Sequence, residues 1–205
     1  LFVPTPDPSS PIICNSGWKP LAMKICLLSD SHDHIPLLDA AVAEAKALGA
    51  EVVLHCGDVV APSTLRCLEK HGLPVHVIHG NNTGDMFSLG RLAADPSSVI
   101  QYHGMDAGIR LGGRRIFLVH YPHYARAMAA TGDWDLVCCG HSHTIQEEWL
   151  PQMQGGRTLL LNPGTVGGVG QSPATWLLVD LETLTCESHQ LDKALERRAY
   201  APAAA

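Results

Sequence analysis

Five short polar clusters carry residue types suited to binding cations: Asp30-Ser31-His32, Gly57-Asp58, Gly80-Asn81-Asn82, His120, and Gly140-His141-Ser142-His143. Each closes an apolar run, as in "LLSDSH", "LHCGD", "IHGNN", "FLVH" and "VCCGHSH". Carboxylate oxygen, amide oxygen and imidazole nitrogen together form a mixed donor set without thiolate. Such a set suits Mn, Fe, Zn, Co or Ni better than an all-oxygen calcium or magnesium cage. Asp58 carries two oxygens and can serve two cations at once, while Asn81 offers a neutral carbonyl oxygen. Extended backbone points residues i and i+2 to one side, which predicts that Asp30 and His32 reach the same ion from a strand end. A glycine before Asp58, Asn81 and His141 permits a sharp turn that aims the next side chain.

The charge balance indicates what such a centre would do. Two divalent ions, two aspartates and a bridging hydroxide leave a net charge of about +1 in a partly dry cleft, so an otherwise acidic chain gains a local anion-binding spot. Two cations about 3.5 to 4 Å apart lower the pKa of a shared water and stabilise the oxygens of an in-line displacement at phosphorus. Such a centre would suit hydrolysis of a phosphate ester.

These clusters need elements that bring them together. Lys24–Ser29 is a continuous apolar run typical of a strand covered on both faces. It precedes a helical stripe of Leu37, Leu38, Ala41, Val42, Ala45 and Leu48, which Gly49 is placed to end. A strand at Glu51–His55, a helix after Pro62 with Leu65 and Leu68 inward, and a strand at Leu73–Ile78 continue an alternation that predicts parallel pairing. A short helix at Met86–Ala93 follows, then strands at Ser98–His103, Asp106–Arg110 and Arg115–Val119. A helix at His123–Ala130 leads to a strand at Leu136–Cys139. Strands at Gln146–Leu150, Thr158–Leu161, Thr175–Asp180 and Thr183–Gln190 complete the chain. Two sheets packed together with helices outside are expected, and in such sheets the carboxyl ends of the strands form the ligand crevice.

The chain has 205 residues, of which 46% are hydrophobic and 17% charged. That suits one globular domain rather than two, and excludes a disordered chain. A net charge of -6 without a basic run argues against an extended nucleic-acid surface. No apolar stretch approaches the roughly 20 residues that cross a bilayer, and the start lacks the order of a secretion signal. A cytoplasmic location is expected. Seven cysteines, mostly in apolar runs and without CxxC spacing, read as reduced, packed thiols. Residues 1–22, rich in Pro and Ser, read as a flexible leader, 23–198 as the single domain, and 199–205 as a loose tail.

The series DxH, GD, GNN, H and GHxH, taken in order at strand ends, resembles the calcineurin-like metallophosphoesterase superfamily, in length and spacing its small prokaryotic phosphodiesterase branch of the YfcE type. The resemblance spans roughly Met23–Gln190. It implies an α/β fold as a four-layer αββα sandwich, with two mixed β-sheets face to face and helices outside. It also implies a dinuclear centre: Asp30, His32 and His143 on the first metal, Asn81, His120 and His141 on the second, and Asp58 bridging. Asp58, Asn81 and His120 would lie at the reaction centre, and the nucleophile would be metal-bound hydroxide rather than a side chain. Two divalent transition-metal ions, manganese foremost, with Fe, Zn, Ni or Co as alternatives, would be the cofactors. A small phosphate ester would be the substrate, and relatives suggest a homodimer.

Three departures from the pattern stand out. Where many members carry a histidine after GN, this chain has Asn82, and Thr83 replaces the following acid, so leaving groups of high pKa would be handled poorly. His120-Tyr121-Pro122-His123 replaces HGH, so His123 either approaches the phosphate or sits at a helix start. Asn82 and His123 are the candidate substrate-binding residues. His34 has no role in the pattern. His55 and His79 read as structural, and His71, His76, His103 and His189 as surface or core residues. Two other functions use the same fold, a phosphomonoesterase or phosphoprotein phosphatase, and a non-catalytic scaffold such as the retromer subunit. A scaffold is expected to lose ligands, and here all seven positions are filled.

Overall fold

A computed structural model describes residues 22–192 and Leu195, so the leader expected at 1–22, apart from residue 22 itself, and the tail expected at 199–205 lie outside the described residues. The first strand, β1 (Lys24–Leu28), is almost wholly buried, as its unbroken apolar run requires. Helix α1 (Ile35–Ala47) follows with Pro36 in its first turn, where the missing N–H costs nothing. His34 caps this helix: its Nδ1 accepts the Leu37 N–H at 3.3 Å, which gives that histidine a structural role. Leu37, Leu38, Ala41, Val42 and Ala45 form the buried stripe. Gly49, at φ 93°, adopts the left-handed turn that leads into β2 (Ala50–His55).

Helix α2 (Pro62–Arg66) runs into a 3₁₀ turn at Glu69–His71, an element the apolar spacing does not reveal, and Gly72 ends it at φ 68°. Then come β3 (Val75–Val77), α3 (Met86–Ala94) and the short β4 (Ile100–Tyr102). The second half holds β5 (Asp106–Leu111), β6 (Arg114–Val119), α4 (Pro122–Thr131), β7 (Leu136–Cys138), β8 (Ile145–Pro151), β9 (Arg157–Pro163), β10 (Thr175–Asp180) and β11 (Thr185–Gln190). The last strand starts two residues later than its sequence pattern suggests. Asp180 Oδ1 accepts the N–H groups of Glu182 and Thr183, and Leu184 turns at φ 56°, so a side-chain-capped turn takes those residues.

Two sheets result. The first has the order β11-β10-β1-β2-β3-β4, with β1 to β4 parallel, and the second has β5-β6-β7-β9-β8, with β6, β7 and β9 parallel. Antiparallel edge pairs make both mixed. Three apolar layers separate the elements. One, with Leu37, Val42, Leu65 and Leu92 among its members, lies between the first sheet and helices α1 to α3. A second, with Ile25, Leu54, Ile116, Leu136 and Leu177, lies between the sheets. A third, with Phe117, Ala125, Ala129, Val137 and Leu160, joins the second sheet to α4. This is the expected αββα sandwich. Fully burying each Leu or Ile contributes about 1.5 to 3 kcal/mol, so the three layers dominate the stability. Among the described residues no helix is long and apolar enough to cross a membrane.

Candidate metal centre

The carboxyl ends of β1, β2, β3, β6 and β7 all open toward one edge of the sandwich, and the five polar clusters follow them in sequence. The local backbone differs from the expectation of extended strand ends. Asp30 (φ 54°), His32 (φ 43°), Asp58 (φ 55°), His141 (φ 68°) and His143 (φ 54°) all occupy left-handed conformations. Strand β1 stops at Leu28, so Asp30 and His32 converge because the chain coils back, not because they alternate along a strand. Aspartate and histidine tolerate this region better than most residues, though a cost remains.

The glycine expectation is corrected in the same way. Only Gly57, at φ 103°, supplies a turn that other residues resist. Gly80 and Gly140 are needed for space. A Cβ on Gly80 would collide with the Asp58 carboxylate and come within 2.7 Å of the His120 ring, and one on Gly140 would collide with Ser29 and stand 2.6 Å from Asp30 Oδ2.

The donor atoms form two adjoining groups. Donor atoms of Asp30, His32 and His143 lie within 4.8 Å of one another, as do those of Asp30, Asp58 and His120. His143 Nε2 is 3.2 Å from Asp30 Oδ1. Asn81 Oδ1 sits 3.1 Å from His120 Nε2 and 2.8 Å from His141 Nδ1, which ties these three together. Asp58 lies between the groups, its Oδ2 3.7 Å from His32 Nε2 and its Oδ1 3.4 Å from His120 Nε2. All seven expected ligand positions thus meet in one hollow, with Asp30, Asp58 and His120 buried and the rest more open.

The donor set fits divalent cations on its own chemistry. His120 Nδ1 lies 2.8 Å from the Cys56 carbonyl oxygen, which can only accept. The ring proton is therefore on Nδ1, and in the neutral ring Nε2 turns a lone pair toward the oxygens of Asn81 and Asp58. Acceptors facing acceptors are unfavourable unless a cation or an added proton sits among them. His32 Nε2 is a buried nitrogen with no hydrogen-bond partner, and it too faces two carboxylates, the Asp30 oxygen being 3.8 Å away. The electrostatics agree. The Asp30 carboxylate draws the His32 pKa upward more than burial lowers it, and Asp58 adds to the pull. Burial would raise Asp30, but His32, Ser29 and the His141 backbone N–H outweigh it and hold the carboxyl below its ordinary value.

Several residues brace this arrangement, and the spacing of the motifs does not single most of them out. His55 is fully buried; its Nε2 lies 3.1 Å from Ser31 Oγ and its Nδ1 accepts the Gly57 N–H at 3.3 Å, so it ties the first ligand loop to the second. Burial drives its pKa down to about 4. Thr165 Oγ1 donates to the Asp30 carbonyl at 2.7 Å, and the Gly167 N–H donates to the same oxygen. The glycine-rich segment after β9 is therefore a structural clamp. Asn162, 0% exposed, donates to the Gly140 carbonyl at 2.8 Å and to Ser142 Oγ at 3.1 Å, holding the histidine pair of the last loop. A lone asparagine closing the apolar strand "TLLL" was the available signal. Asp33 Oδ1 accepts from Ala61 N and Thr64 Oγ1, which fixes α2 beside the centre.

Asn82 donates its backbone N–H to Asp58 Oδ1 at 2.8 Å and its Nδ2–H to Oδ2 at 2.6 Å. Its amide thus engages the central carboxylate. His123 sits at the start of α4, exposed, with its ring 4.3 Å from Tyr124. The remaining histidines are placed as packing and surface groups. His79 Nδ1 pairs with the Tyr102 hydroxyl, His76 with His103, His71 with Asp39, and His189 stacks on Trp176. Cys26, Cys56, Cys138 and Cys139 are free and buried, with their thiols pushed up by burial.

Residues 23–184 match the family described as the calcineurin-like phosphoesterase superfamily domain. The chain is 27% identical, over 164 residues, to phosphodiesterase MJ0936 of Methanocaldococcus jannaschii, covering 78% of this chain and 94% of that protein. Among solved structures, one described as a novel archaeal phosphodiesterase superposes with a TM-score of 0.72 at 24% identity, covering 82% of this chain and 100% of that one. The phosphoesterase Yfce of E. coli superposes with a TM-score of 0.55 at 17% identity, covering 83% and 100%.

Proposed function

Because this chain belongs to the calcineurin-like phosphoesterase superfamily and is a metal-dependent phosphoric ester hydrolase, we propose that it hydrolyses a phosphodiester at a pair of divalent transition-metal ions, manganese foremost. The observation that carries this reading is the Asp58 carboxylate, which turns one oxygen toward His32 and the other toward His120. Asp30, His32 and His143 would hold one cation, Asn81, His120 and His141 the other, and Asp58 both. When bound, the ions supply a hydroxide nucleophile at neutral pH and neutralise charge that develops on the phosphate oxygens.

The chain's own residues do the rest. Asn82 fixes the rotation of Asp58 through hydrogen bonds to both carboxylate oxygens. The Cys56 carbonyl fixes the His120 tautomer, so that Nε2 is the nitrogen presented to the centre. His55 and Asn162 hold the loops in register from beneath. The relative named a phosphodiesterase supports the choice of a diester over a monoester. A small ester suits an acidic chain with net charge -6, whose sequence carries no basic run of the kind that a long nucleic acid requires. We place this activity in the cytoplasm.

Replacing Asp58 with Asn tests the proposal, since it removes the charge shared by both groups. Metal content by elemental analysis should fall at both sites, and turnover of bis(p-nitrophenyl) phosphate should vanish. Near-normal turnover with full metal content would refute the assignment.

A further inference from the structure

The ligand rings continue outward into a set of aromatic side chains that the metal centre does not use. His120 and His141 stand 5.2 Å apart edge to face, and the Tyr121 ring lies 4.9 Å from His141 and 5.3 Å from His120. Tyr121 in turn meets His123 at 5.6 Å and Tyr124 at 5.9 Å, and those two meet at 4.3 Å. The series ends on Tyr124, 53% exposed. This places an open ring two ring contacts from a candidate ligand of the second cation.

The core does not need that ring. Helix α4 is anchored by Ala125 and Ala129, both 0% exposed, while Tyr124 points away from the layer they form. Neither tyrosine hydroxyl makes a hydrogen bond to another described residue. Charge is not the attractant either, because the nearby Arg126 is held by Glu148 at 2.6 Å. What remains is a group of flat, polarisable faces beside the place where a phosphate would sit. Such faces bind planar rings by stacking, with little regard to which ring it is.

We propose that Tyr121, His123 and Tyr124 form a stacking wall for a planar ring carried by the substrate close to its phosphorus. The preferred esters then bear a nucleobase or an aryl group rather than a simple alkyl chain. This deepens the phosphodiesterase reading and rests on it for turnover, but the wall can also be tested by binding alone.

Thymidine p-nitrophenyl phosphate and methyl p-nitrophenyl phosphate share one leaving group and differ in the ring on the other side. The wild-type protein with manganese should prefer the thymidine ester in kcat/KM. Tyr124→Ala should cut that preference by roughly ten- to a hundredfold, mostly through KM, as expected for a lost stacking contact. Tyr124→Phe should keep it. An unchanged preference in Tyr124→Ala overturns the wall. Bis(p-nitrophenyl) phosphate, run in parallel, shows whether an aryl group is accepted as well as a base.

Calorimetric binding of thymidine monophosphate and of methyl phosphate to the manganese-loaded protein separates the two ideas. If no ester is hydrolysed but Tyr124→Ala still abolishes a preference for thymidine monophosphate, the wall stands and the phosphodiesterase reading falls. If the wild type binds both phosphates equally, the wall is wrong whatever the turnover.

Discussion

Acid should loosen this protein through His55, and the size of the effect follows from where that ring lies. The side chain is fully buried, burial holds its pKa near 4, and the ordinary value is 6.5. A base whose folded pKa is depressed binds fewer protons folded than unfolded between those two values. Stability therefore rises with pH across that window, is fully present above about 6.5, and is lost as pH falls toward 4. Between pH 7 and about pH 4.5 the loss is on the order of 2 kcal/mol, since each unit of separation is worth about 1.4 kcal/mol. The test compares wild type with His55→Gln, both held metal-free with a chelator, by urea unfolding at a series of pH values. The variant starts about 1 kcal/mol weaker, from the hydrogen bonds it loses at Ser31 and Gly57. Its stability should then fall more gently with acid, by the amount that His55 no longer contributes. His76, also held near 4 by burial and by His103, titrates in both proteins and cancels from the comparison. Parallel pH profiles for the two proteins would refute the argument.

Three further changes probe other parts of the account. Gly80→Ala, whose methyl would strike Asp58 and His120, should cost about 1 to 3 kcal/mol of stability and lower kcat/KM on the order of a hundredfold by shifting both side chains; unaltered kinetics would contradict the close packing. Gly90→Ala in α3 meets nothing within 4 Å and should stabilise the fold by about 1 kcal/mol in chemical denaturation, so a loss would mean that the helix is not as described. His143→Ala removes a donor from the group of Asp30 and His32 only, so metal content should fall toward one ion per chain. Loss of both ions together would argue against two separable groups.

Much of the architecture could be read from the chain because its signals are local. The buried run of β1, the stripe of α1 and the alternation of strands with helices each follow from periodicity, and the structure places them in the expected order. The convergence of the candidate ligands could be read too, since polar residues closing apolar runs meet wherever parallel strands end together. Backbone geometry could not. Nothing in "SDSH" announces left-handed residues at Asp30 and His32, because that conformation is imposed by distant contacts: the Asp30 N–H reaches the Gly57 carbonyl, and Thr165 grips the Asp30 carbonyl from 135 residues away. The position of Asn162 at the close of an apolar strand could be read, but its role could not, its partners being the carbonyl of Gly140 and the hydroxyl of Ser142 on a neighbouring loop. The 3₁₀ turn at Glu69–His71 has no apolar face to betray it.

The coiled backbone at Asp30, His32, Asp58, His141 and His143 sets durability against competence. Each side chain with a Cβ in that region costs on the order of 1 to 2 kcal/mol relative to a relaxed residue. Glycine at any of these positions would relieve the strain and at the same time delete a donor. A change to glycine at any of these five positions would therefore exchange a candidate donor for a more relaxed backbone, so stability and the donor set pull against each other there.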